Sequence, residues 1–218
     1  MFRNHKLFLA LSSAALFITL MIAIGFGALS IAPWEMFSAL RHFLQGKEPA
    51  SLQEGVFLQL RLPRVLLCAV TGAILSVSGV LMQGLFRNPI VEPGLTGTSA
   101  GAAFGAAIIF VLGPLLAPSL KSLAGPLLVP LFAFGGGLLA TFLVYSLAGT
   151  TGKTSILTLL LTGIAVNAIA LSGTGFMAYI ARDPQARSIT FWNMGTFAGA
   201  NWLQFWITSA TALLTFFY

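Results

Sequence analysis

Six long stretches of this sequence contain no charged residue. All eleven Lys and Arg and all five Asp and Glu of the 218 residues lie outside them. Each stretch is long enough for a helix that crosses the ~30 Å hydrocarbon core of a membrane, which takes about 20 apolar residues. The stretches are Leu7–Trp34, Val65–Phe86, Pro93–Leu120, Ser122–Gly152, Thr154–Ala181 and Ser188–Tyr218.

These stretches predict helices rather than barrel strands, because they are continuously apolar and a barrel strand alternates over about 10 residues. Only 7% of the residues are charged, against ~25% in a typical soluble domain. This excludes a soluble enzyme, a nucleic-acid-binding protein and a disordered chain. We expect an all-α, polytopic transmembrane helix bundle with six crossings, in which the net charge of +6 serves topology and contacts with membrane lipid.

The two ends of the chain carry further signals. A basic start before Leu7–Ile31 resembles a signal peptide, but this run of 25 residues exceeds a signal core of about 7 to 15, so we expect a retained first helix. At the other end the helix from about Trp202 to Tyr218 has no polar residues after it. We therefore expect a truncated chain, incomplete at its C-terminus.

Residues 35–64 form the one substantial polar segment, a predicted extracytoplasmic amphipathic loop. Apolar residues at 36/37, 40 and 43/44 predict a short helix at the membrane interface. Pro63 is expected in the first turn of the second membrane helix, where its fixed φ is tolerated.

Two further segments carry structural signals. Gly97, Gly101 and Gly105 are spaced four residues apart, so they share one helix face and predict close packing against a neighbouring helix. Residues 181–202 are aromatic yet interrupted by small and polar residues, which indicates an interfacial or re-entrant helix.

Catalytic constellations are absent from the sequence. The segment Gly149–Ser155 imitates a phosphate-binding loop, but position 147, where the first glycine belongs, is Leu147. His5 and His42, the only histidines, lie outside the uncharged stretches, so no membrane-embedded His pair binds a metal. We expect no enzyme activity and no cofactor. The lack of buried acids also disfavours proton coupling, whereas sodium bound by backbone carbonyls stays open.

The polar groups inside the stretches are uncharged. Hydrogen bonding between helices is the expected role of each, and lining a substrate path is the second interpretation. Asn167, near the middle of its stretch, is the best candidate for the path. The set is Gln83, Thr162, Asn167, Ser172 and Thr174.

Short motifs follow one another in a fixed order from residue 61 onward. The most distinctive are an Asn-Pro…Pro-Gly element, with Asn88, Pro89, Pro93 and Gly94, and a Gly-x-x-x-Gly element, with Gly97 and Gly101. In full, the runs are Arg61-Leu-Pro-Arg64, Thr71-Gly-Ala-Ile-Leu-Ser-Val-Ser-Gly-Val-Leu-Met-Gln83, Arg87-Asn-Pro-Ile-Val-Glu-Pro-Gly94, Gly97-Thr-Ser-Ala-Gly-Ala-Ala103, Leu161-Thr-Gly-Ile-Ala165 and Phe191-Trp-Asn-Met-Gly195.

This series resembles the FecCD-type permease subunit of ABC importers for iron-siderophores, haem and vitamin B12. The resemblance implies a ten-helix permease, of which this chain holds six helices. It also implies a homodimer, that is, a second permease copy, together with a cytosolic ABC ATPase subunit and a periplasmic or lipoprotein substrate-binding protein, in the bacterial cytoplasmic (inner) membrane. Residues 1–218 then form a single transmembrane permease domain.

The resemblance assigns roles to a few residues. Arg61 and Arg64 match the family motif whose arginines dock the binding protein, and the alternative is that both anchor the helix at the membrane surface. Thr154 and Ser155 match a cytoplasmic gate, and Asn167 lies further along the translocation path. The family's main ATPase-docking loop falls beyond Tyr218.

The orientation of the chain rests on conflicting signals. The resemblance implies an internal N-terminus, which gives four basic residues inside and seven outside, whereas the positive-inside rule favours the reverse. We still expect the N-terminus inside, because the first helix has basic residues before it and Glu35 as the first charge after it. The internal residues are Arg3, Lys6, Arg87 and Lys153, and the external ones are Arg41, Lys47, Arg61, Arg64, Lys121, Arg182 and Arg187.

We therefore expect a transmembrane permease subunit of an ABC importer that translocates an iron chelate, either a siderophore or haem. Two alternatives stay open, an ion-coupled secondary transporter and a non-transporting membrane assembly protein. The sequence does not distinguish siderophore, haem and corrinoid as cargo.

Overall fold

The computed structural model of the chain describes residues 4–27, 29–89, 92–116, 127–149 and 156–216, and regular secondary structure within them is helical throughout. Each of the six uncharged stretches contains one long helix. In chain order the helices are α1 His5–Gly25, α2 Pro33–Leu44, α3 Leu52–Val56, α4 Leu62–Phe86, α5 Thr98–Leu116, α6 Leu128–Ala148, α7 Ile156–Ile180, α8 Asp183–Met194 and α9 Trp202–Phe216.

Among the described helices, four runs are long and apolar enough to cross a membrane: α1, α6, α7 and the continuous run Leu52–Phe86. The apolar part of α5, Thr98–Pro114, is shorter, and α9 has 15 residues. Most apolar side chains of these helices face outward; in α1, Ile24 is the buried residue. Outward-facing apolar surfaces suit lipid rather than water. The prediction of an all-α, multi-pass membrane protein is confirmed.

The second membrane helix begins earlier than expected. It starts at Leu52, so Pro63 lies inside a continuous helix rather than in its first turn. A π-helical turn, Phe57–Arg61, directly precedes this proline, and the N–H of Leu62 donates to the carbonyl of Phe57. The turn lets the helix pass a residue that lacks an N–H and would collide with the preceding turn.

The π-helical turn leaves one carbonyl for a partner elsewhere in the chain. In a π-helix each carbonyl accepts the N–H of the residue five positions later. For the carbonyl of Leu58 that residue is Pro63, which has no N–H to donate. The indole Nε1–H of Trp202, at the start of α9, donates to this carbonyl instead at 2.9 Å. The Trp202 ring also stacks on Phe43 of α2, with centroids 6.2 Å apart.

Packing divides the chain into two compact units, Met1–Leu75 with Phe197–Tyr218, and Ser76–Thr196. The first unit has its core where α1 ends and the run from Leu52 begins. The single permease domain over residues 1–218 stays a prediction. The core residues of the first unit are Ile24, Ile31, Ala39, Phe57, Leu58 and Val65.

The second unit is built on close backbone contact between α5 and α6. A methyl group at Gly101 would lie 2.5 Å from the carbonyl oxygen of Gly136, and one at Gly105 would collide with the carbonyl of Phe132. From Gly101 to Gly105 the chain of α5 advances, while the contacted residue of α6 moves back from Gly136 to Phe132. Helices α5 and α6 are therefore antiparallel. The predicted packing role is confirmed for Gly101 and Gly105, because small residues let membrane helices approach to backbone contact. The prediction that Gly97 shares their helix face was wrong, since Gly97 precedes α5 and has φ 84.

Helix α7 runs parallel to α5 in the same unit. Gly97 lies beside Val166 at the start of α5, and Phe104 lies against Gly173 further along. Gly173 has room for this ring because it lacks a side chain. The parallel arrangement fits helices that cross a membrane in the same direction.

Helix α8 folds back onto the second unit. Its Ile189 is 3% exposed and packs with Ala107 and Val111 of α5. Its C-terminal Trp192 shares a groove with Leu171, which lies nine residues before the end of α7, or about 14 Å at 1.5 Å per residue. The packing holds α8 against α5, and the interfacial and re-entrant interpretations of this segment both stay predictions.

Candidate functional site

The Asn-Pro…Pro-Gly motif forms a break between two helices. Helix α4 ends with Arg87 at φ 50, in the left-handed region, and the N–H of Asn88 returns to the carbonyl of Gln83 at 3.2 Å. This is the paired hydrogen bonding that closes many helices, usually with glycine at the left-handed position. The motif therefore ends α4 in a fixed geometry.

A short 3₁₀ segment, Pro93–Thr96, follows before α5 begins. Glu92 is extended and its carbonyl accepts the N–H of Leu95 at 3.1 Å. Gly97 has φ 84, which L side chains rarely adopt, so this position requires glycine. The motif glycines thus set the turn from the 3₁₀ segment into α5.

Helix α7 holds this 3₁₀ segment through two residues. A methyl group at Gly163 would collide with the carbonyl of Leu95, so the backbones touch there. Four residues further on, the Asn167 side-chain amide donates to the carbonyl of Gly94 at 3.0 Å. Asn167 therefore makes the expected hydrogen bond between elements. The Leu161-Thr-Gly163 motif alone did not predict that Gly163 contacts the backbone of the 3₁₀ segment.

The 3₁₀ segment lies well inside the span of α7. Gly163 and Asn167 are 7 and 11 residues beyond Ile156, the first residue of α7, which corresponds to about 10 to 17 Å along the helix. Non-helical backbone at membrane depth is tolerated only where protein covers it or where it lines a water-filled cavity. The break in the chain therefore marks a polar region within the bundle.

A groove of about 550 Å³ opens beside the break. It lies within the second unit, between the 3₁₀ segment, α5, α7 and the C-terminal end of α8. None of its described lining residues is basic, and Glu92 is its one carboxylate. The groove therefore offers a largely apolar wall with a few hydrogen-bonding groups. Its polar side chains are Glu92, Ser99, Asn167, Trp192 and Asn193.

Two other polar residues of α7 bond within their own helix rather than between helices. The Ser172 hydroxyl donates to the carbonyl of Ala168 at 2.8 Å, and the Thr174 hydroxyl donates to that of Ala170 at 2.9 Å. Short hydroxyl side chains reach the carbonyl four residues earlier, which satisfies them locally. The interhelical role expected for these two residues was therefore wrong.

Arg61 binds backbone carbonyls at the end of α1. Its guanidinium donates to the carbonyls of Ile24 at 2.8 Å and Gly25 at 3.0 Å, and also to that of Leu29. The last carbonyls of a helix lack intrahelical donors, and a cation there also matches the helix dipole. Arg61 thus closes α1.

Arg64 lies one helical turn further along and is exposed. Its guanidinium donates to the carbonyl of Ala198 at 2.8 Å. Both arginines belong to the first unit. The two predicted docking residues therefore differ, since Arg61 is half-buried against three carbonyls and Arg64 is exposed and bonds one carbonyl.

A buried carboxylate organises the loop between α2 and the helix that starts at Leu52. Glu54, 5% exposed, accepts the Ser38 hydroxyl at 2.6 Å, the His42 ring Nδ1 at 3.0 Å and the Ala50 N–H at 2.8 Å. These bonds tie α2 onto the helix start. Ser, His and Glu are common in polar loops, so their types and spacing did not predict this cluster.

Some predicted positions have no described geometry or no ligand chemistry. The predicted gate residues Thr154 and Ser155 lie outside the described residues. Among the described residues, no group of three or more His, Cys, Asp or Glu side chains converges as a metal-ligand set. Pro89 stands in the exposed turn after α4.

Comparison with known proteins places this geometry in context. The hemin transport system permease protein HmuU of Yersinia pestis is 40% identical over 160 residues, which are 73% of this chain and 46% of HmuU. The molybdate import system permease protein MolB of Haemophilus influenzae is 35% identical over 188 residues, 86% of this chain and 53% of MolB.

A solved structure is also similar. It is an inward-facing conformation of a metal-chelate type ABC transporter, with a TM-score of 0.70 and 31% sequence identity, and the similarity covers 93% of this chain and 57% of that chain. The chain thus spans about half the length of the relatives it matches.

The family comparison covers all of the motifs described above. The model of the FecCD transport family matches residues 15–218, a range that includes the break before α5, the glycine contacts of α5 with α6, and Asn167. Sequence motifs, helical architecture and a solved structural relative agree, and the chain belongs to the FecCD transport family.

Proposed function

We propose that this protein is a membrane-spanning permease subunit of an ABC importer in the cytoplasmic membrane. The observation that carries the proposal is the FecCD family match over residues 15–218, a range that includes the backbone break before α5 and the groove beside it. The permease itself catalyses no reaction, and a cytosolic ABC ATPase supplies the energy. A substrate-binding protein delivers the cargo to a dimer of two permease copies.

The proposed cargo is an organic metal chelate such as an iron-siderophore or haem. The names of the relatives cover both an organic metal complex, hemin, and an oxyanion, molybdate. An oxyanion site needs cationic or strongly donating partners, whereas the described lining of the groove has one carboxylate and no Lys or Arg. This charge pattern counts against a free oxyanion such as molybdate.

Transport assays test the function and the cargo together. The full-length permease is reconstituted in proteoliposomes with its ATPase and binding protein, and uptake of hemin, a ferric trihydroxamate siderophore and molybdate is measured. We expect ATP-dependent uptake of one of the chelates and none of molybdate. Uptake that ignores ATP and collapses with ionophores would instead establish an ion-coupled transporter, which the family match does not favour.

Binding-protein docking is proposed for the outer arginines, and Arg64 is the informative position. Replacing Arg61 also removes the group that closes α1, so its effect on docking and its effect on folding are mixed. We expect Arg64→Glu to weaken docking of the binding protein, most strongly at low salt, because attraction to acidic residues is least screened there.

Docking is measured as the affinity of the binding protein for the reconstituted permease across a salt series. Arg182→Glu, at an exposed basic residue of the second unit, is the matched control for a general change in charge. If Arg64→Glu and the control change the affinity equally, the arginine serves only as a surface anchor.

The cytoplasmic gate is proposed at Thr154 and Ser155, just before α7 begins at Ile156. The proposal is supported by their match to the family pattern and by the backbone break between α4 and α5, which packs against Gly163 and Asn167 further along α7. Asn167 is proposed to line the path beyond this gate, since its side chain borders the groove.

A further inference from the structure

Helix α2 has one face packed against its own unit. Ala39 is fully buried, Met36 packs against the same core, and Ser38 and His42 bind Glu54. This face holds α2 against the end of α1 and the start of the run from Leu52.

The opposite face of α2 is exposed and apolar. Trp34, Phe37 and Leu44 are 75%, 72% and 78% exposed, and Leu40 is 44% exposed. Their spacing of three or four residues places them on one stripe of the helix. A contiguous apolar stripe of this kind marks a contact with protein or lipid rather than with water.

A shallow groove of about 310 Å³ runs along this stripe. Phe37, Leu40 and Leu44 form its apolar walls, and Arg41 with Gln45 supplies its polar side. The groove therefore combines a surface for an acyl chain with donors for a headgroup, and the arginine is one helical turn from both Phe37 and Leu44.

Arg41 is the charged group of the groove whose side chain has no described partner. No hydrogen bond or ion pair joins its guanidinium to another described residue. The nearest acidic side chains are engaged, since Glu35 accepts the Ala32 N–H at 2.8 Å and Glu54 is bound within the loop. Lys47 and Glu48 are exposed beyond α2 and carry opposite charges.

We propose that this face of α2 is a binding site for an anionic phospholipid. The acyl chain lies along Phe37, Leu40 and Leu44, and the headgroup phosphate accepts hydrogen bonds from Arg41 and Gln45. Guanidinium groups bind phosphate strongly because their fixed donors match its oxygens. The site concerns lipid and not cargo, so it goes beyond the proposed transport function and does not depend on it.

The test uses the full-length protein in vesicles of phosphatidylcholine with a minor fraction of phosphatidylglycerol. Bromine atoms, which quench indole fluorescence, are placed on the acyl chains of one lipid or the other. The signal of Trp34 is obtained as the difference between the wild type and Trp34→Phe. We expect brominated phosphatidylglycerol to quench about fivefold more, per molecule, than brominated phosphatidylcholine, because one basic residue favours an anionic lipid by that factor.

Arg41→Gln should remove this preference, and Arg41→Lys should retain part of it. Arg187→Gln, at an exposed basic residue of α8, is the matched control and should leave it unchanged. Retention of phosphatidylglycerol by the purified wild type and by Arg41→Gln, measured by native mass spectrometry, gives a readout that does not involve Trp34.

Equal quenching per molecule by the two lipids, together with equal retention in both variants, would overturn the site. Absence of quenching by either lipid would show that protein covers the face. Protection of Trp34 that appears only when the binding protein is added would assign the stripe to that partner, and would likewise overturn the proposal.

Discussion

At the scale of single residues, Asn167 joins two features that the sequence could not connect. Its side chain borders the groove and also holds the carbonyl of Gly94. The sequence predicted hydrogen bonding or a place on the path as alternatives, because the type of residue and its depth in an uncharged stretch are visible in sequence. The partner was not visible, since it lies on a short 3₁₀ segment far away in the chain.

We expect Asn167→Ala to destabilise the protein by about 1 to 2 kcal/mol, because the carbonyl of Gly94 loses its donor in a medium poor in water. Thermal unfolding of the detergent-solubilised protein measures this change. Ser172→Ala is the control, since that hydroxyl bonds only to its own helix and is exposed. If the two variants unfold at the same temperature, the hydrogen bond to Gly94 contributes no net stability.

The arginines show a second limit at the same scale. Arg61 and Arg64 share one motif, yet Arg61 closes α1 and Arg64 reaches Ala198. A motif identifies residue type and order, but the carbonyls that each guanidinium meets depend on where α1 and the start of α9 lie. Those positions are set by packing rather than by local sequence.

At the scale of helices, the glycine spacing on α5 was sufficient to predict a packing face, but it did not identify the partner. The partner is α6, whose Gly136 completes the contact from the other side. The break before α5 was likewise marked by Pro93 and Gly97, while its depth within the membrane depends on α7. Local sequence signals therefore predicted the helices and the break, whereas the contacts between helices were seen only in the structure.

We expect Gly101→Ala and Gly105→Ala each to destabilise the α5–α6 pair by about 1 to 3 kcal/mol, because a methyl group cannot fit against backbone. Gly79→Ala on α4 is the control, since a methyl group there meets no atom within 4 Å; it should be neutral or slightly stabilising. Unfolding in detergent monitors all three variants. Equal stability of the Gly101 and Gly79 variants would contradict the backbone contact.

At the scale of the whole molecule, composition alone predicted the fold class, because the uncharged stretches leave few alternatives to membrane helices. The division into two compact units was not predicted. Its boundary at Leu75 falls inside α4, where no charge, proline or loop marks it. Orientation is the other whole-chain property that sequence leaves balanced, since basic residues are more numerous on the side expected to be external.

Cysteine labelling tests the orientation. With the N-terminus inside, a cysteine at Lys47 should react with a membrane-impermeant maleimide on intact cells, because the loop between α2 and the run from Leu52 is then external. A cysteine at Arg87 is the matched control and should react only after permeabilisation. Both are introduced with Cys68 replaced by Ala. The opposite pattern would reverse the orientation of every helix.

Pro63 and Trp202 lie in distant parts of the sequence, yet they are coupled through the π-helical turn. Pro63 provides no N–H for the Leu58 carbonyl, and Trp202 donates to that carbonyl instead. A residue with its own amide hydrogen at position 63 would give the Leu58 carbonyl a local donor. The hydrogen bond from Trp202 would then no longer be required, although its ring would still stack on Phe43. Loss of the indole is therefore expected to cost more stability in chains that keep the proline. In related sequences we therefore expect substitutions at positions 63 and 202 to occur together.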